Sequence, residues 1–160
     1  MIYVIQTETG KENNICANLI RSGISAYVPR RELIVRKNAG WTKVINLLFP
    51  GYVFVDVTEV DSFTYYTVKS TSGVIRFLGE PTPIAADEEP FMRIIINNGA
   101  VIPESTAVVS GDKITVTGGW LKGKEQYVRY WNVRQKKAGM QIILDNKPHK
   151  FNVGVEYSVE

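Results

Sequence analysis

Aromatic and basic side chains alternate in the second half of the chain in a pattern that suits nucleic acid. Cations neutralise phosphates, and exposed rings can stack unpaired bases. The rings are Trp120, Tyr127, Tyr130 and Trp131, and the cations between and beside them are Lys122, Lys124, Arg129 and Arg134. Solvated surface charge is the alternative reading for the cations. A place in a folded core is the alternative for Trp120 and Trp131.

The cations extend beyond this stretch. From residue 122 to residue 150 there are eight Lys/Arg against two Asp/Glu, an excess that attracts polyanions. The residues that we expect to contact RNA are Lys122, Lys124, Arg129, Arg134, Lys136, Lys137, Lys147, His149 and Lys150.

Residues for catalysis are missing from the same region. His149 is the only histidine and has no Asp or Glu at catalytic spacing, and one cysteine with one histidine cannot make a metal site. Gly123 and Lys124 superficially suggest a phosphate loop, but no Ser or Thr follows the lysine. We therefore predict that the chain is not an enzyme and uses no cofactor or metal.

Charge and composition restrict the class further. Residues 1–99 hold ten Lys/Arg and ten Asp/Glu, whereas residues 100–160 hold nine against six, so the excess of +3 lies in the second part. No apolar run approaches the ~20 residues of a membrane span, and no signal peptide precedes the first strand pattern. Cys16 is alone and cannot form an intramolecular disulfide. We expect a cytoplasmic protein without membrane contact.

The first part alternates strand and helix patterns. Residues 2–7 are β-rich, and Thr9 with Glu12 has capping-box spacing for a helix over residues 11–21. Strand patterns over 33–36 and 42–45 predict a hairpin that turns at 38–40.

Two further helices are expected. Asp61 is positioned to cap one that runs to about Lys69. The acidic residues 87–89 favour the start of another, with Phe91, Ile94 and Ile95 on its core face.

Pro50 and Gly51 form a rigid entry into a strand. Proline fixes φ and lacks an amide donor, and glycine then turns freely. Because Phe49 and Tyr52 flank this turn, we predict that they are exposed apolar anchors for a partner.

The second part reads as small and all-β. Residues 100–106, with Pro103, form a predicted linker. Beyond it, strand patterns over 114–117, 127–131, 140–144 and 153–159 are separated by glycine-containing turns.

Several motifs together resemble the NusG family of RNA polymerase accessory factors, and the resemblance covers nearly the whole chain. They are Tyr3-Val4-Ile5-Gln6-Thr7 with Gly10-Lys11-Glu12, then Tyr27-Val28-Pro29, Phe49-Pro50-Gly51-Tyr52, the segment 73–79, and Gly111-Asp112-Lys113 with Gly118-Gly119-Trp120-Leu121-Lys122-Gly123. The last pair resembles the KOW module of that family.

The resemblance implies an α+β fold in two domains. Residues 1–99 would form a NusG-type α/β sandwich with an antiparallel sheet, and residues 107–160 an SH3-like β-barrel KOW domain. The first domain would bind the clamp helices of the largest RNA polymerase subunit. The residues carried over for this contact are Tyr3, Phe49, Pro50 and Tyr52, with Thr64, Tyr65 and Tyr66 of the second helix.

A basic, aromatic KOW module further resembles the LoaP branch of the family. Its members are specialised antiterminators that bind an RNA hairpin in the leader of a long operon and promote read-through. Two alternatives stay open: a general NusG-like elongation factor whose KOW domain binds proteins, such as Rho or a ribosomal protein, and a free KOW-type RNA-binding protein. Non-template DNA is a further possible partner. We expect an always-open monomer.

Overall fold

The computed structural model describes residues 1–160. Its strands and α-helices follow in the order β1 (Ile2–Thr7), α1 (Glu12–Arg21), β2 (Ala26–Tyr27), β3 (Arg30–Lys37), β4 (Gly40–Leu47), β5 (Tyr52–Asp56), α2 (Ser62–Ser70), β6 (Val74–Phe77), α3 (Glu89–Ile96), β7 (Ser105–Ser110), β8 (Lys113–Gly118), β9 (Tyr130–Asn132), β10 (Lys137–Leu144) and β11 (Lys147–Val159). None of the three α-helices is long and apolar enough to cross a membrane.

The chain divides into two compact units that are not continuous in sequence. The first unit holds Met1–Pro29, Phe49–Gly99 and Ile143–Lys147. The second holds Arg30–Leu48, Ala100–Ile142 and Pro148–Glu160. The β3–β4 hairpin therefore belongs to the second unit, although it interrupts the first along the chain. The domain boundaries at 99 and 107 stay a prediction about which segments fold independently.

A four-stranded antiparallel sheet organises the first unit, in the order β2-β5-β1-β6. Tyr3 pairs with Val55 and Ile5 with Val53, so alternate residues of the two central strands face the same side. One core cluster contains both pairs together with apolar residues of α1 and α2: Tyr3, Ile5, Ile15, Leu19, Ile24, Ala26, Val53, Val55, Val68 and Phe77.

Helix α1 begins as the sequence predicts but is not capped as predicted. Lys11 occupies the N-cap position and no side chain caps the helix, so the capping box of Thr9 and Glu12 is wrong. Glu12 instead accepts from the amides of Gly10 and Gly51. The reason is tertiary: a buried amide 39 residues away competes successfully for the carboxylate.

The other two helices follow the sequence more closely. Asp61 caps α2 by accepting from the Thr64 amide at 2.8 Å, which confirms that prediction. Phe91 and Ile95 of α3 are buried as predicted, but Ile94 is only half-buried. Met92 and Ile96 complete the core face, because the helix is rotated relative to the expected stripe.

The second unit contains a five-stranded sheet in the order β8-β7-β11-β10-β9. Strand β7 was not anticipated by the sequence patterns; it pairs with β8 antiparallel and with β11 in parallel. The strand predicted over 127–131 is shorter, because residues Glu125–Tyr127 form a 3₁₀ turn and only Tyr130–Asn132 pair with β10. The other predicted strands of this part are present within β8, β10 and β11.

The β3–β4 hairpin has the predicted turn. Asn38 and Ala39 lie between the paired residues Lys37 and Gly40, with φ of 50° and 63°. Positive φ at both central positions is the geometry of a two-residue type I′ turn, whose twist matches that of the flanking strands.

Several contacts hold the hairpin within the second unit. Lys43 pairs with Glu104 at 2.9 Å, and the Glu32 amide donates to the Ile102 carbonyl at 2.8 Å. Gly154 lies so close to β3 that an added Cβ would be 2.6 Å from the Glu32 carbonyl oxygen. A larger residue there would push the two strands apart.

The segment predicted as a linker is partly built into this unit. Ile102 is fully buried and forms an isolated parallel bridge with Arg31, and Ser105 already belongs to β7. Pro103 and the absence of a strand pattern suggested a linker, but the hydrogen bonds of Ile102 go to β3, a partner that no local pattern reveals.

Candidate functional site

The Pro50-Gly51 turn is fixed from two directions. Gly51 has φ of 89°, a conformation that side chains rarely adopt. Its carbonyl accepts from the Thr7 amide at 2.8 Å, and the Tyr52 amide donates to the Phe49 carbonyl at 3.2 Å. The turn thus closes onto the end of β1 and starts β5 at a set position.

Glu12 anchors the same turn from α1. One carboxylate oxygen accepts from the Gly10 amide and the other from the Gly51 amide, both at 2.7 Å. The residue is only 2% exposed. Burial raises the pKa of Glu12, but the amides of Glu12, Gly51 and Gly10 outweigh it and hold the pKa below its ordinary value of 4.5. The anchor is therefore a carboxylate at neutral pH.

The residues expected to contact polymerase do not form one exposed surface. Phe49 is 5% exposed and packs edge-on against Phe54, with ring centroids 5.6 Å apart, so the prediction that it is an exposed anchor is wrong. Tyr3 is buried as well. A residue before a Pro-Gly turn can point either way, and here the core of the unit takes the ring. Pro50 is exposed and Tyr52 half-buried.

Helix α2 presents the other part of this set. Thr64 is buried beside the Asp61 cap, and Tyr65 stacks on Phe77 with centroids 5.9 Å apart. Tyr66 is 68% exposed and meets Tyr65 edge-on. Phe63, which the sequence reasoning missed, is a further exposed ring on this helix. The available signal was that Phe63 is an apolar residue at the second position of a capped helix. That helix has few buried residues.

The nine residues predicted to contact RNA fall into three groups and two separate residues. Lys122 and Lys124 lie in the loop after β8, and Arg134, Lys136 and Lys137 lie at the β9–β10 turn. His149 and Lys150 are on β11, and Arg129 precedes β9. Lys147 is grouped with the first unit.

The lysines after β8 are engaged in backbone hydrogen bonds. Lys122 donates to the Val116 carbonyl at 3.1 Å, and Lys124 to the Trp120 carbonyl at 2.7 Å. Lys124 also lies 5.2 Å from the centre of the Trp120 ring. These lysines therefore brace their loop, and their charges remain near the surface.

The arginines flank the edge strand β9. Arg129 and Arg134 are exposed, and no ion pair is recorded for either. The Arg129 amide donates to the Gly139 carbonyl at 2.7 Å, which fixes its backbone beside β10. Both guanidinium groups are available for phosphate or a base edge.

The aromatic residues separate into core and surface. Trp120 is buried, with no partner for its indole N–H, so its core alternative is the one that the structure shows. Trp131 is half-buried. Tyr130 is 51% exposed and its ring lies over Gly139, where an added Cβ would meet it at 2.0 Å.

The sequence patterns predict the hairpin but miss the charge that it adds to the second unit. The hairpin brings five cations to the second unit, namely Arg30, Arg31, Arg36, Lys37 and Lys43. The second unit therefore holds thirteen Lys/Arg against six Asp/Glu, a formal charge of +7, while the first holds six against ten, a charge of −4. The density of cations in β3 and β4 was the available signal. A charge count over residues 1–99 does not show it, because the acidic residues of the first unit cancel these cations.

Two of these cations are engaged in contacts within the protein. Arg31 donates to the Leu47 carbonyl and lies 3.4 Å from Asn152 Oδ1. Burial lowers the pKa of Arg31 from its ordinary value. Lys43 pairs with Glu104, and this interaction raises the pKa of Lys43. Arg31 and Lys43 are structural, whereas Arg36 and Lys37 at the far end of the hairpin make no ion pair.

No group of three or more His, Cys, Asp or Glu could hold a metal ion. The first unit carries an anchored turn, and the second unit carries a basic sheet. Residues 2–94 match the family model described as "Transcription termination factor nusG". The chain belongs to the NusG family, whose members are transcription factors rather than enzymes.

Relatives in the family are moderately similar. Transcription termination/antitermination protein NusG of Streptococcus pyogenes serotype M3 is 27% identical over 139 residues, covering 77% of this chain and 76% of its own. The protein of the same name from Helicobacter pylori is 28% identical over 155 residues, covering 89% and 88%. That of Bacillus subtilis is 34% identical over 101 residues, covering 54% and 56%. A chain in a crystal structure of an MjSpt4:Spt5 complex matches with a TM-score of 0.34 and 16% identity, over 98% of this chain and all of that one.

Proposed function

We propose that the chain is a specialised antiterminator of the NusG family. Its first domain, residues 1–99, binds the clamp helices of the largest RNA polymerase subunit. Its KOW domain, residues 107–160 joined by the segment 100–106, binds an RNA hairpin in the leader of a long operon. Bound to both, the protein promotes read-through of that operon.

The observation that carries this proposal is the segregation of charge. The second compact unit, which joins the β3–β4 hairpin to most of the proposed KOW domain, has a formal charge of +7 and is suited to polyanions. The first unit has a charge of −4, which disfavours polyanions and suits a protein partner. A protein that only bound RNA would leave the first unit, with its anchored turn, without a role.

The polymerase contact is proposed for the exposed members of the predicted set. These are Pro50 and Tyr52 at the anchored turn, and Tyr66 with the edge of Tyr65 on α2. Tyr3, Phe49 and Thr64 are buried, so their proposed role is structural.

The RNA contact is proposed for Arg129 and Arg134 as readers and for Lys122 and Lys124 as phosphate contacts. Arginine can pair bidentately with phosphate or a base edge, whereas lysine acts as a point charge. In the strand order β8 and β9 are the two edges of the sheet. Convergence of the two groups therefore requires the SH3-like closure that the family resemblance implies.

A second candidate is a general NusG-like elongation factor whose KOW domain binds Rho or a ribosomal protein. The relatives are named transcription termination/antitermination proteins, and this favours the second candidate. The +7 charge of the second unit argues for RNA instead.

Binding of the full chain to RNA polymerase and to a leader hairpin tests both candidates. We expect polymerase binding, and hairpin binding whose log K falls with log salt at a slope of about −3 to −5, for roughly four to six phosphate contacts. Arg129→Ala should reduce discrimination against a scrambled hairpin, and Lys122→Ala should weaken both RNAs equally. Salt-independent or absent hairpin binding would favour the general factor.

A further inference from the structure

A groove in the second unit combines an exposed indole with unpaired cations. It lies between the end of the β3–β4 hairpin and the β9–β10 turn, has a volume of about 420 Å³, and is lined by residues 34–36, Trp41, Arg134, Gln135 and Lys137. This volume falls within the roughly 300–1,000 Å³ of small-ligand sites. None of the lining side chains is acidic, and three are cationic.

Trp41 is held as a platform. It pairs with Arg36 across the hairpin and is 40% exposed. The Arg36 guanidinium carbon lies 5.7 Å from the ring centre and the Lys136 ammonium 5.0 Å from it, both within cation–π range. The two cations restrict the ring while leaving part of it accessible.

The cations of the groove differ in availability. Lys136 is paired with Glu156, so its charge is largely satisfied and its role is to position the indole. Arg134 and Lys137 make no ion pair and are free to meet an anion.

The turn that carries Arg134 is braced by Asn132. The Asn132 side chain accepts from the Gln135 amide at 3.0 Å and donates to Gln135 Oε1 at 3.3 Å. The side chain of Gln135, with its amide donor Nε2, also lines the groove. Ring, cations and amide donor thus border one space on braced elements.

We propose that this groove binds an unpaired nucleotide of RNA, whose base stacks on Trp41 while Arg134 and Lys137 hold its phosphate. An acidic peptide would use the cations but not the ring, whereas a nucleotide uses both. The choice of RNA rests on the proposed function. The site adds a single-strand contact, through Trp41, Arg134 and Lys137, to the hairpin contact proposed for Arg129 and Lys122.

The test measures binding of the full chain to a fluorescein-labelled, unstructured ten-nucleotide RNA. Trp41→Ala should weaken it by about 5- to 150-fold, the equivalent of one lost stacking contact. Trp41→Phe keeps a ring and should lose much less. Lys37→Ala removes a cation of the same hairpin that makes no ion pair and does not line the groove. It serves as the matched control, with a change of about two-fold or less.

Crosslinking provides a measurement that needs no variant. A 4-thiouridine RNA of the same length should crosslink to the peptide that contains Trp41, and the absence of that peptide among crosslinked products would contradict the inference. Equal affinity of Trp41→Ala and wild type would overturn it as well. Tighter binding of the matching DNA would overturn the assignment to RNA. Equally effective competition by polyglutamate would reduce the groove to a general anion site and also overturn it.

The hairpin arm separates this inference from the proposed function. If Arg129→Ala impairs hairpin binding while Trp41→Ala leaves the single-stranded RNA unaffected, the groove is wrong and the function stands. If Trp41→Ala impairs single-strand binding but the chain binds neither hairpin nor polymerase, the groove stands and the antiterminator function fails. A wild-type chain that binds no RNA contradicts both.

Discussion

The two compact units differ in charge, and the difference follows space rather than sequence. The first carries −4 and the second +7, although residues 1–99 taken together are neutral. The β3–β4 hairpin makes the difference, because its cations leave the first unit for the second. The first unit therefore positions a few aromatic side chains, whereas the second presents positive charge.

The units also differ in how their candidate contacts are held. In the first, a buried carboxylate and a positive-φ glycine fix one turn. In the second, the candidate cations are spread over a loop, a turn and a hairpin, and several are exposed. Changes at the candidate contacts of the first unit should therefore act on stability and polymerase binding together, and changes at the exposed cations of the second unit on RNA binding alone.

The largest effect is expected for Phe49→Ala. Removing a buried phenylalanine costs about 3–5 kcal/mol of unfolding free energy, so this variant should be strongly destabilised. Tyr52→Ala, at a half-buried position, should cost much less while weakening polymerase binding by about 2 kcal/mol. Urea unfolding and polymerase binding measured on both variants check this. A fully stable Phe49→Ala variant that no longer binds polymerase would restore Phe49 as the exposed anchor.

The next effect concerns the anchor of the turn. Glu12→Ala leaves the buried Gly51 amide without its acceptor, removes the acceptor of the Gly10 amide as well, and should cost about 1–3 kcal/mol. Glu12→Gln retains one acceptor oxygen and should cost less. RNA affinity of the folded variants should be unchanged, and a parallel loss of RNA binding would break the separation of the two units.

The same carboxylate predicts a pH dependence. Its pKa is lowered in the folded state, so its stabilisation is fully present above the ordinary value of 4.5 and is lost as pH falls through the folded value. Unfolding free energy measured from pH 7 to pH 3 should therefore decline more steeply in wild type than in Glu12→Gln. Parallel pH profiles for the two proteins would contradict a charged anchor.

A smaller effect is expected on the salt dependence of hairpin binding. Removing one phosphate contact lowers the slope of log K against log salt by about 0.7–0.9. Lys122→Ala should show this change, and Lys69→Ala, on α2 of the acidic unit, should not. Equal slopes for both lysine variants would mean that hairpin binding depends on the charge of the whole molecule and not on that of the second unit.

The smallest effect concerns the hairpin turn. Ala39 has φ of 63°, so Ala39→Gly should relieve strain and stabilise the protein by about 0.5–1 kcal/mol. Thermal unfolding checks this, with Ala138→Gly, at a fully buried strand position, as a destabilising control. A destabilised Ala39→Gly variant would show that the turn is not held in the type I′ geometry.

Local features followed from the sequence because their partners are near in the chain. The Asp61 cap and the turn at Asn38 and Ala39 each depend on hydrogen bonds or sterics within a few residues. The Pro50-Gly51 entry into β5 has the same character. Strand β1 followed from the β-rich composition of residues 2–7, although its hydrogen-bond partners in β5 and β6 are distant in the chain. The family likewise followed from short motifs, and residues 2–94 bear it out.

Only the tertiary structure decided the partners of groups whose local surroundings allow several. Glu12 could have capped its own helix but satisfies Gly51, because a buried amide without an acceptor is costly. Phe49 could have faced solvent but packs on Phe54, because burial of its ring is favourable. The hairpin could have stayed with the first unit, yet bonds such as Glu32 to Ile102 hold it in the second. Hydrogen bonding and apolar burial act between residues that are close in space. A sequence pattern therefore indicates that a group requires a partner, but it does not identify the partner.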